Sequence, residues 1–256
     1  MIEAAKVGGR EVKKFYGKSI TIFNKSTVAD FRTEADLASN KAILDKLQIH
    51  FPDYNFFSEE SGWEKRNSEY TFVIDPLDGT NNFAIGLPNF SVSIALLEGN
   101  QIVAGVTYNP ITEETFFAEK GKGAFLNGSS LQTSEITEIE KATVAYTCGY
   151  KTENRFYQEF IRQNVPRMKR FMSNWSPCLD YCRVASGKIE AVICNGNEVY
   201  DNLVGKLLIK EAGGVVTRFD GNLEEDEKGV YFVASNNKDL HKIVLERCIQ
   251  IGPDSL

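Results

Sequence analysis

The sequence predicts an α/β (α+β) fold made of two halves. Three observations lead to this prediction: 42% of the 256 residues are hydrophobic, strand patterns dominate up to about residue 140, and strands alternate with helices beyond it. A chain of this length and composition is able to bury a substantial core. We therefore expect an N-terminal α+β half over residues 1–140 and a C-terminal α/β half over residues 141–256.

Two helices open the N-terminal half, over residues 1–17 and 33–48. The second starts with Thr-Glu-Ala-Asp at 33–36, the spacing of a capping box, in which side chains bind free amides at the helix start. Short apolar runs separated by turn signals follow, and they predict a largely antiparallel sheet. The predicted strands are 72–74, 90–97, 102–108 and 114–119.

Strands and helices alternate in the C-terminal half, which indicates an α/β arrangement. The predicted strands are 143–147, 191–193, 215–217 and 231–234, and the predicted helices are 153–164, 177–187, 201–212 and one that closes the chain. The helix over 201–212 has one apolar stripe, and we expect Lys206 and Lys210 to point away from it. Gly213 ends this helix and Asp201 lies at its N-terminus.

Charge and composition restrict the partners and the location of the protein. The formal net charge is −6, and no basic cluster supports a nucleic-acid partner. The chain has no apolar stretch of roughly 18 residues for a membrane span, and residues 1–17 lack the features of a signal peptide. Its five cysteines form no CxxC motif. We expect a cytoplasmic protein with no membrane partner, and a hairpin loop at the acidic run 224–227.

The strongest chemical signal follows the apolar strand 72–74. Asp75 and Asp78 lie three residues apart, Pro76 fixes one backbone angle, and Gly79 is able to adopt a conformation that other residues resist. Both carboxylates and the Leu77 carbonyl then converge, and oxygen ligands of this kind suit a hard cation such as Mg²⁺. The alternative is an ordinary polar turn, because Asp-Pro and Asp-Gly are common turn dipeptides.

Three further acids are weaker signals when each is taken by itself. Glu59 starts the sequence Glu-Glu-Ser-Gly at 59–62, which would also suit a solvated loop. Asp36 and Asp201 each stand at a predicted helix start, where capping of free amides would explain them without any catalytic role. Capping and catalysis are compatible roles for the same carboxylate.

Taken together, these motifs resemble the inositol monophosphatase family. The resemblance covers roughly residues 20–217 and includes Leu-Asp-Tyr-Cys-Arg-Val-Ala-Ser-Gly at 179–187, which is similar to the family's helix before its last metal ligand. It implies an α/β/α/β/α sandwich of the inositol monophosphatase and fructose-1,6-bisphosphatase type, with the active site between the two halves. It also implies a homodimer and inhibition by lithium.

The resemblance further implies two or three Mg²⁺ ions. One ion would be held by Glu59, Asp75 and the Leu77 carbonyl, a second by Asp75, Asp78 and Asp201, and a looser third ion would lie near Glu59. Such ions lower the pKa of bound water and neutralise charge on the leaving oxygen.

The catalytic residues implied by the resemblance are Asp36, Glu59 and Thr80, with Thr80, oriented by Asp36, positioning the attacking metal-bound water. The amides of Gly79 and Thr80 would cradle phosphate oxygens if they begin a helix, as they do in the family. The implied substrate-binding residues are Asp78, Gly79, Thr80, Trp175, Ser176, Cys194 and Asp201.

Two departures from the family pattern fall in the predicted substrate pocket. Trp175 stands where the family usually has a glycine, so it either blocks space or offers a face for a stacked ring, and Pro177 replaces an alanine. Cys194 stands where inositol-specific members have a glutamate for substrate hydroxyls. Arg32, at a usually apolar position, lies either near the phosphate or at the solvated surface.

The resemblance predicts a phosphomonoesterase whose substrate is inositol monophosphate or a similar small polyol or sugar phosphate. The same chemistry on fructose 1,6-bisphosphate, a nucleotide 3′-phosphate or the 2′-phosphate of NADP is the nearest alternative. A non-catalytic binding protein is the alternative from another class, and it predicts the loss of metal ligands. The presence of Glu59, Asp75, Asp78, Thr80 and Asp201 argues against this last alternative.

Overall fold

The structure is a computed structural model that describes residues 1–150, 155–223 and 228–252. The predicted helix 153–164 begins outside these residues. The acidic run 224–227, predicted as a hairpin loop, lies wholly outside them. The helices of the described residues are α1 (Ile2–Phe15), α2 (Glu34–His50), α3 (Thr80–Ala84), α4 (Arg155–Asn164), α5 (Pro177–Ala185), α6 (Val199–Glu211) and α7 (Lys238–Ile251). Within the described parts of the chain, no helix is both long enough and apolar enough to span a membrane.

The first half of the chain forms a small hairpin and an eight-stranded sheet. The hairpin pairs β1 (Ile22–Asn24) with β2 (Phe31–Thr33). The sheet has the order β10-β9-β8-β7-β6-β5-β3-β4, in which β3 and β5 run parallel and the other pairs are antiparallel, as the sequence largely predicts. Its strands are β3 (Asn55–Ser58), β4 (Gly62–Glu64), β5 (Tyr70–Asp78), β6 (Ser91–Glu98), β7 (Gln101–Asn109), β8 (Glu114–Glu119), β9 (Gly123–Leu126) and β10 (Ser129–Ser130).

The second sheet is mixed and has the order β12-β11-β13-β15-β14. Its central strand β13 runs parallel to β11 and antiparallel to β15. The strands are β11 (Thr143–Cys148), β12 (Arg170–Met172), β13 (Ala191–Asn195), β14 (Val215–Arg218) and β15 (Tyr231–Ser235). Four of these strands match the sequence-based prediction, and β12 was not predicted because it is short and begins with a charged residue directly after Lys169.

Three of the four hydrophobic cores in the described residues join these elements into layers. One core contains residues of α1, α2 and the outer face of the first sheet, such as Ile43 and Phe72. The central core joins the inner faces of both sheets to α5 and α6 through residues such as Tyr181 and Val204. The third core contains α4, α7 and the far face of the second sheet, for example Phe160. This confirms the expected α/β/α/β/α sandwich.

Close backbone approach brings α6 against its neighbours. A Cβ atom at Gly205 of α6 would lie 2.3 Å from ring atoms of Tyr181 in α5. A Cβ atom at Gly105 of β7 would lie 2.9 Å from Cγ1 of Val204 in α6. Both distances are too short for a methyl group, so each glycine allows α6 to pack more closely than any other residue would. Since Asp201 lies in α6, this packing fixes the position of its carboxylate.

Lys206, which was expected to point away from the apolar stripe of α6, is not exposed to solvent. Lys206 is fully buried, its Nζ lies 4.4 Å from the centre of the Phe232 ring, and it donates a hydrogen bond to the Gly229 carbonyl at 2.6 Å. A helix on the surface has one solvated face, whereas α6 lies between two sheets, so its polar face is buried as well. The ammonium group is accommodated by the ring face and the carbonyl.

Candidate metal centre

The end of β5 positions two of the predicted ligands. The strand continues through Asp78 instead of ending at residue 74, and its register with β6 shifts between Asp75 and Asp78. Such an irregularity accommodates Pro76, which has no amide hydrogen for the strand ladder. The Leu77 amide donates to Oδ1 of Asp75 at 3.0 Å. The local structure thus turns both carboxylates to one side of the strand end.

Gly79 ends the strand and allows α3 to begin immediately. Its φ of 85° lies in the left-handed region, and a Cβ atom there would lie 2.8 Å from the Asn89 carbonyl oxygen. Only glycine avoids both the strain and the clash. The unusual conformation predicted for Gly79 from the sequence is therefore confirmed, and it places Thr80 at the first position of α3.

Glu59 and Asp201 reach the same place from other elements. Glu59 follows β3, the parallel neighbour of β5, and its amide donates to the Ile74 carbonyl at 3.1 Å. Asp201 is in the first turn of α6, which begins two residues earlier than predicted. The Asp75 carboxyl group lies within hydrogen-bonding reach of both Glu59 and Asp201. Carboxylates from two neighbouring strands of the first sheet and from one helix therefore converge.

The electrostatics of this cluster are those of like charges held out of water. Burial raises the pKa of Asp75 well above its usual value, and the nearby Glu59 and Asp201 raise it further. Burial and the neighbouring acids also raise the pKa of Asp201. Burial raises the pKa of Asp78 to about 7, although hydrogen bonds from Ser176 and Ser91 oppose that shift. Neighbouring carboxylates that are buried together favour either a bound cation or protonation of one of them.

A lysine in the loop between β1 and β2 brings positive charge to the acid cluster. Lys25, between β1 and β2, donates to Oε1 of Glu59 at 2.8 Å and to Oε1 of Glu60 at 2.5 Å. Burial raises the pKa of Glu59, and Lys25 opposes this shift. Arg32 pairs with Oε2 of Glu60 at 3.2 Å, so its side chain is engaged there and is absent from the described lining of the cleft.

Thr80 is held by two acceptors. Its hydroxyl lies 3.1 Å from Oδ1 of Asp36 and 3.0 Å from the Leu77 carbonyl oxygen. The other Asp36 oxygen accepts from the amide and the hydroxyl of Thr33 at 2.7 and 2.6 Å, which completes the predicted capping box of α2. Burial raises the pKa of Asp36 to about 7. One carboxylate thus joins the start of α2 to Thr80.

Residues near the start of α5 complete the site. The Ser176 hydroxyl is fully buried and donates to Oδ2 of Asp78 at 2.5 Å, and Ser91 donates to the same oxygen at 2.9 Å. The Cys178 sulfur and carboxylate oxygens of Asp75 and Asp78 lie within 4.8 Å of one another. Cys178 was not predicted here because its sequence neighbours give no sign that it faces the acids.

The donor set fits a hard divalent cation. It consists of the buried carboxylates Asp75 and Asp78, the adjoining carboxylates Glu59 and Asp201, and a backbone carbonyl at Leu77. The acids raise one another's pKa values, and a cation would relieve this repulsion. Oxygen donors of this kind suit Mg²⁺, whereas Cys178 would add a softer donor at the edge of the set.

The site forms the floor of a cleft that holds about 810 Å³ of empty space, its open mouth included. The predicted site residues that line the cleft are Glu59, Asp75, Leu77, Asp78, Gly79, Thr80, Trp175, Ser176 and Asp201. Asp36 lies behind Thr80 and is buried. The lining of the cleft also includes residues that the sequence did not reveal, namely Tyr146, Thr147, Tyr150, Asn197 and Glu198.

Cys194 is placed differently from the prediction. It is fully buried in the core between the two sheets, and its sulfur lies 3.2 Å from the Val230 carbonyl oxygen. It is absent from the described residues that line the cleft. Side chains alternate along β13, so Cys194 faces the central core together with Val192, while Ile193 faces the other side. Its predicted contact with substrate is not supported by this position.

Sequence comparison relates the whole chain to proteins of one family. A sequence model described as "Inositol monophosphatase family" matches residues 1–251. The chain is 37% identical to "Inositol-1-monophosphatase" of Caulobacter vibrioides, over 96% of this chain and 98% of that protein. It is 34% identical to "Fructose-1,6-bisphosphatase/inositol-1-monophosphatase" of Thermotoga maritima, over 93% and 91%. It is 35% identical to "Nus factor SuhB" of Haemophilus influenzae, over 86% and 84%.

Solved structures with the same fold include two with more than 30% identity. The extragenic suppressor protein SuhB from Bartonella henselae superposes with a TM-score of 0.91 and 32% identity, and the match covers 98% of this chain and 97% of that one. The inositol monophosphatase from Thermotoga maritima superposes with a TM-score of 0.89 and 31% identity, covering 98% and 95%.

Proposed function

Because this chain belongs to the inositol monophosphatase family, we propose that it is an Mg²⁺-dependent phosphomonoesterase that uses metal-activated water. Family membership supports a phosphatase, a hydrolase of phosphate monoesters, from a metal-dependent family. The proposal adds the metal and the assignment of roles to residues.

The convergence of four acids on one cleft floor is the observation that carries the proposal. Glu59, Asp75, Asp78 and Asp201 come from three separate elements and crowd together despite their mutual repulsion. A protein that had lost metal binding would have no need to keep this unfavourable arrangement. We therefore favour an enzyme over a non-catalytic binding protein.

We assign one Mg²⁺ to Glu59, Asp75 and the Leu77 carbonyl, and a second to Asp75, Asp78 and Asp201. A third ion near Glu59 would lie close to the Lys25 ammonium group, which donates a hydrogen bond to Glu59. When bound, Mg²⁺ lowers the pKa of water and neutralises charge on phosphate oxygens.

The chain's own groups orient the reactants. Asp36 accepts the hydrogen bond of Thr80, which fixes the threonine hydroxyl at the edge of the acid cluster. From there the hydroxyl is able to hold a water molecule for attack on phosphorus, and this is the role that we assign to it. Ser176 and Ser91 both donate to Oδ2 of Asp78 and so hold its carboxylate in one orientation.

Inositol monophosphate is the first substrate to test, because the relative that is 37% identical carries that activity in its name. Fructose 1,6-bisphosphate is an alternative on the same grounds, since it appears in the name of the Thermotoga maritima relative. A homodimer and inhibition by lithium remain proposals that rest on the family alone. Sedimentation of the purified protein and lithium titration of its activity test these two proposals.

Phosphate release by the purified protein tests the proposed reaction. We expect Mg²⁺-dependent turnover of myo-inositol 1-phosphate that EDTA abolishes, and a loss of at least about 10³-fold in kcat for Asp75→Asn, because this carboxylate is assigned to both ions. Asp45→Asn is a matched control, since Asp45 is an exposed partner of Lys41 far from the cleft. Full activity of a folded Asp75→Asn variant would refute the assignment.

A further inference from the structure

Trp175 has an unusual position at the mouth of the cleft. Its side chain is 50% exposed although it is one of the largest apolar groups of the chain. Its φ of 54° lies in the left-handed region, where a bulky residue is strained. Strain of this kind persists only where surrounding groups hold the backbone, so the contacts of residues 174–176 decide what it means.

The backbone on the N-terminal side of Trp175 is held by amide side chains. Asn82, in α3, donates to the Asn174 carbonyl at 2.8 Å and to the Trp175 carbonyl at 3.2 Å. Asn89 donates to the Asn174 carbonyl at 3.1 Å. Because α3 begins at Thr80, these bonds tie Trp175 to the segment that carries the acid cluster.

The C-terminal side of Trp175 is tied to the same cluster. The next residue, Ser176, is fully buried and donates to Asp78 at 2.5 Å. Pro177 then begins α5 and restricts the backbone of Ser176. Trp175 is therefore fixed between two anchors beside the acid cluster, and its ring stands at a defined place relative to those acids.

Trp175 shares the mouth with a second aromatic ring. The rings of Trp175 and Tyr150 lie 5.9 Å apart with an interplanar angle of 36°, and Tyr150 is 39% exposed. Both residues line the cleft whose floor is formed by Asp75 and Asp201. Together they form one aromatic surface, here called the aromatic platform, that a ligand in the cleft meets as it leaves the acids.

The platform differs from what recognition of a polyol requires. Hydroxyl groups are discriminated by hydrogen-bonding side chains, whereas exposed aromatic faces bind flat rings by stacking, with little dependence on their hydrogen-bonding edges. We propose that Trp175 and Tyr150 bind a planar aromatic ring in the alcohol part of the substrate. The enzyme would then favour nucleotide-like phosphomonoesters over cyclitol phosphates. This inference rests on the proposed phosphatase function.

The test compares three phosphomonoesters that share the reacting group. Adenosine 3′-monophosphate has a planar ring, whereas myo-inositol 1-phosphate and glycerol 2-phosphate have none. We expect kcat/KM to be highest for the adenosine ester. In Trp175→Gly, kcat/KM for the adenosine ester divided by kcat/KM for glycerol 2-phosphate should fall about 10-fold, mainly through a higher KM for the adenosine ester. Stacking of one base commonly contributes a factor of this size to binding. Trp175→Phe should retain most of the ratio.

A binding measurement separates this inference from the reaction. The sequence contains two tryptophans, and Trp63 stacks on Phe57 outside the lining of the cleft. In Trp63→Phe, Trp175 is the remaining tryptophan, and we expect adenosine without phosphate or metal to quench its fluorescence, while myo-inositol does not. Trp63→Phe should also keep the substrate ratios of the parent protein.

The outcomes distinguish three cases. The aromatic platform would be refuted if all three esters are turned over and Trp175→Gly leaves the ratio of kcat/KM values unchanged. It would also be refuted if adenosine does not quench the fluorescence. Either result would leave the proposed phosphatase function intact. Quenching without turnover of any ester would support the platform and refute the proposed reaction. A structural role for Trp175 predicts lower stability of Trp175→Gly, whereas relief of the strained φ predicts equal or higher stability.

Discussion

At the scale of single residues, Asp75 combines a cost in stability with its proposed role in metal binding. Its carboxylate is buried beside two other acids, and burial raises its pKa well above the usual value. A carboxyl group whose pKa is higher in the folded state than in the unfolded state stabilises the fold at low pH, and this contribution is lost as the pH rises through the folded value. Without a cation, the protein is therefore weakened at neutral to alkaline pH by the residues that would bind the metal.

We expect Asp75→Asn to raise the unfolding free energy of the metal-free protein by about 1–2 kcal/mol at pH 8, because it removes one buried charge. The same variant should lose the rise in Tm that Mg²⁺ produces in the parent protein by binding to the folded state. Thermal unfolding with EDTA and with Mg²⁺ measures both effects. Asp45→Asn, on the exposed face of α2, should alter neither. A destabilised Asp75→Asn variant would contradict this account.

His241 is a second residue whose protonation affects stability. It lies buried between Thr217 and Ser235, whose hydroxyls are 2.8 and 3.2 Å from its ring nitrogens. Burial lowers its pKa from 6.5 to about 4. Between these values the unfolded chain binds a proton that the folded protein does not, so stability falls as the pH falls from 6.5 to 4.

The contribution of His241 amounts to about 3.4 kcal/mol at most, from 1.36 kcal/mol per unit of pKa. Urea unfolding of the parent and of His241→Gln at several pH values measures it. The difference in unfolding free energy between the two proteins should shrink as the pH is lowered from 6.5 to 4. A difference that is independent of pH would show that the imidazole is not excluded from protonation in the folded state.

At the scale of elements, the sequence predicted those features that depend on neighbouring residues. The capping box of α2, the left-handed Gly79 and the positions of the main strands along the chain were predicted because local chemistry determines them. The assigned acids were found through motif order and family resemblance. Tyr150 was not predicted to lie at the cleft, because its position depends on how β11 and the start of α5 meet in space.

Two errors have the same origin in tertiary structure. Cys194 was expected at the substrate, but the alternation of side chains along β13 turns it into the central core. Lys206 was expected to point away from the apolar stripe of α6, but it is buried because the helix is covered on both sides. Sequence periodicity gives the face of an element on which a residue lies, yet it does not tell what covers that face.

The capping box also allows a prediction about α2. We expect Thr33→Ala to lower the unfolding free energy by about 1 kcal/mol, because it removes the hydroxyl that accepts from the Ala35 amide and donates to Asp36. Thr33→Ser keeps this hydroxyl and should stay within about 0.5 kcal/mol of the parent. Chemical denaturation of the three proteins measures the effect. Equal losses in both variants would mean that the methyl group, not the cap, is what matters.

At the scale of the whole molecule, the site depends on how closely the two sheets approach α6. Asp201 lies in α6, whereas Asp75 and Asp78 lie on the first sheet, so any change in this spacing moves the ligands apart. The contact between Gly105 of β7 and Val204 of α6 sets the spacing. The proposed division between residues 140 and 141 would place Gly105 and Val204 in different halves of the chain.

We expect Gly105→Ala to weaken Mg²⁺ binding by roughly 5-fold, although it lies outside the cleft lining, because an added methyl group displaces α6. The double variant Gly105→Ala/Val204→Ala removes the opposing methyl groups and should recover most of the affinity. Calorimetric titration with Mg²⁺ measures both. If the double variant binds as weakly as Gly105→Ala, the loss arises in β7 itself and not from its distance to α6.

The placement of α5 and α6 between the sheets also has a consequence for synthesis of the chain. The strands β6 to β9 pair with their sequence neighbours, so the first sheet is able to form early while later residues are still being added. The inner face of this sheet, with Val73, Ala95 and Phe116, then stays uncovered until α5 and α6 have left the ribosome. During this interval we expect the nascent protein to expose a broad apolar surface, and three of the four proposed acidic ligands to be in place before α6 supplies Asp201.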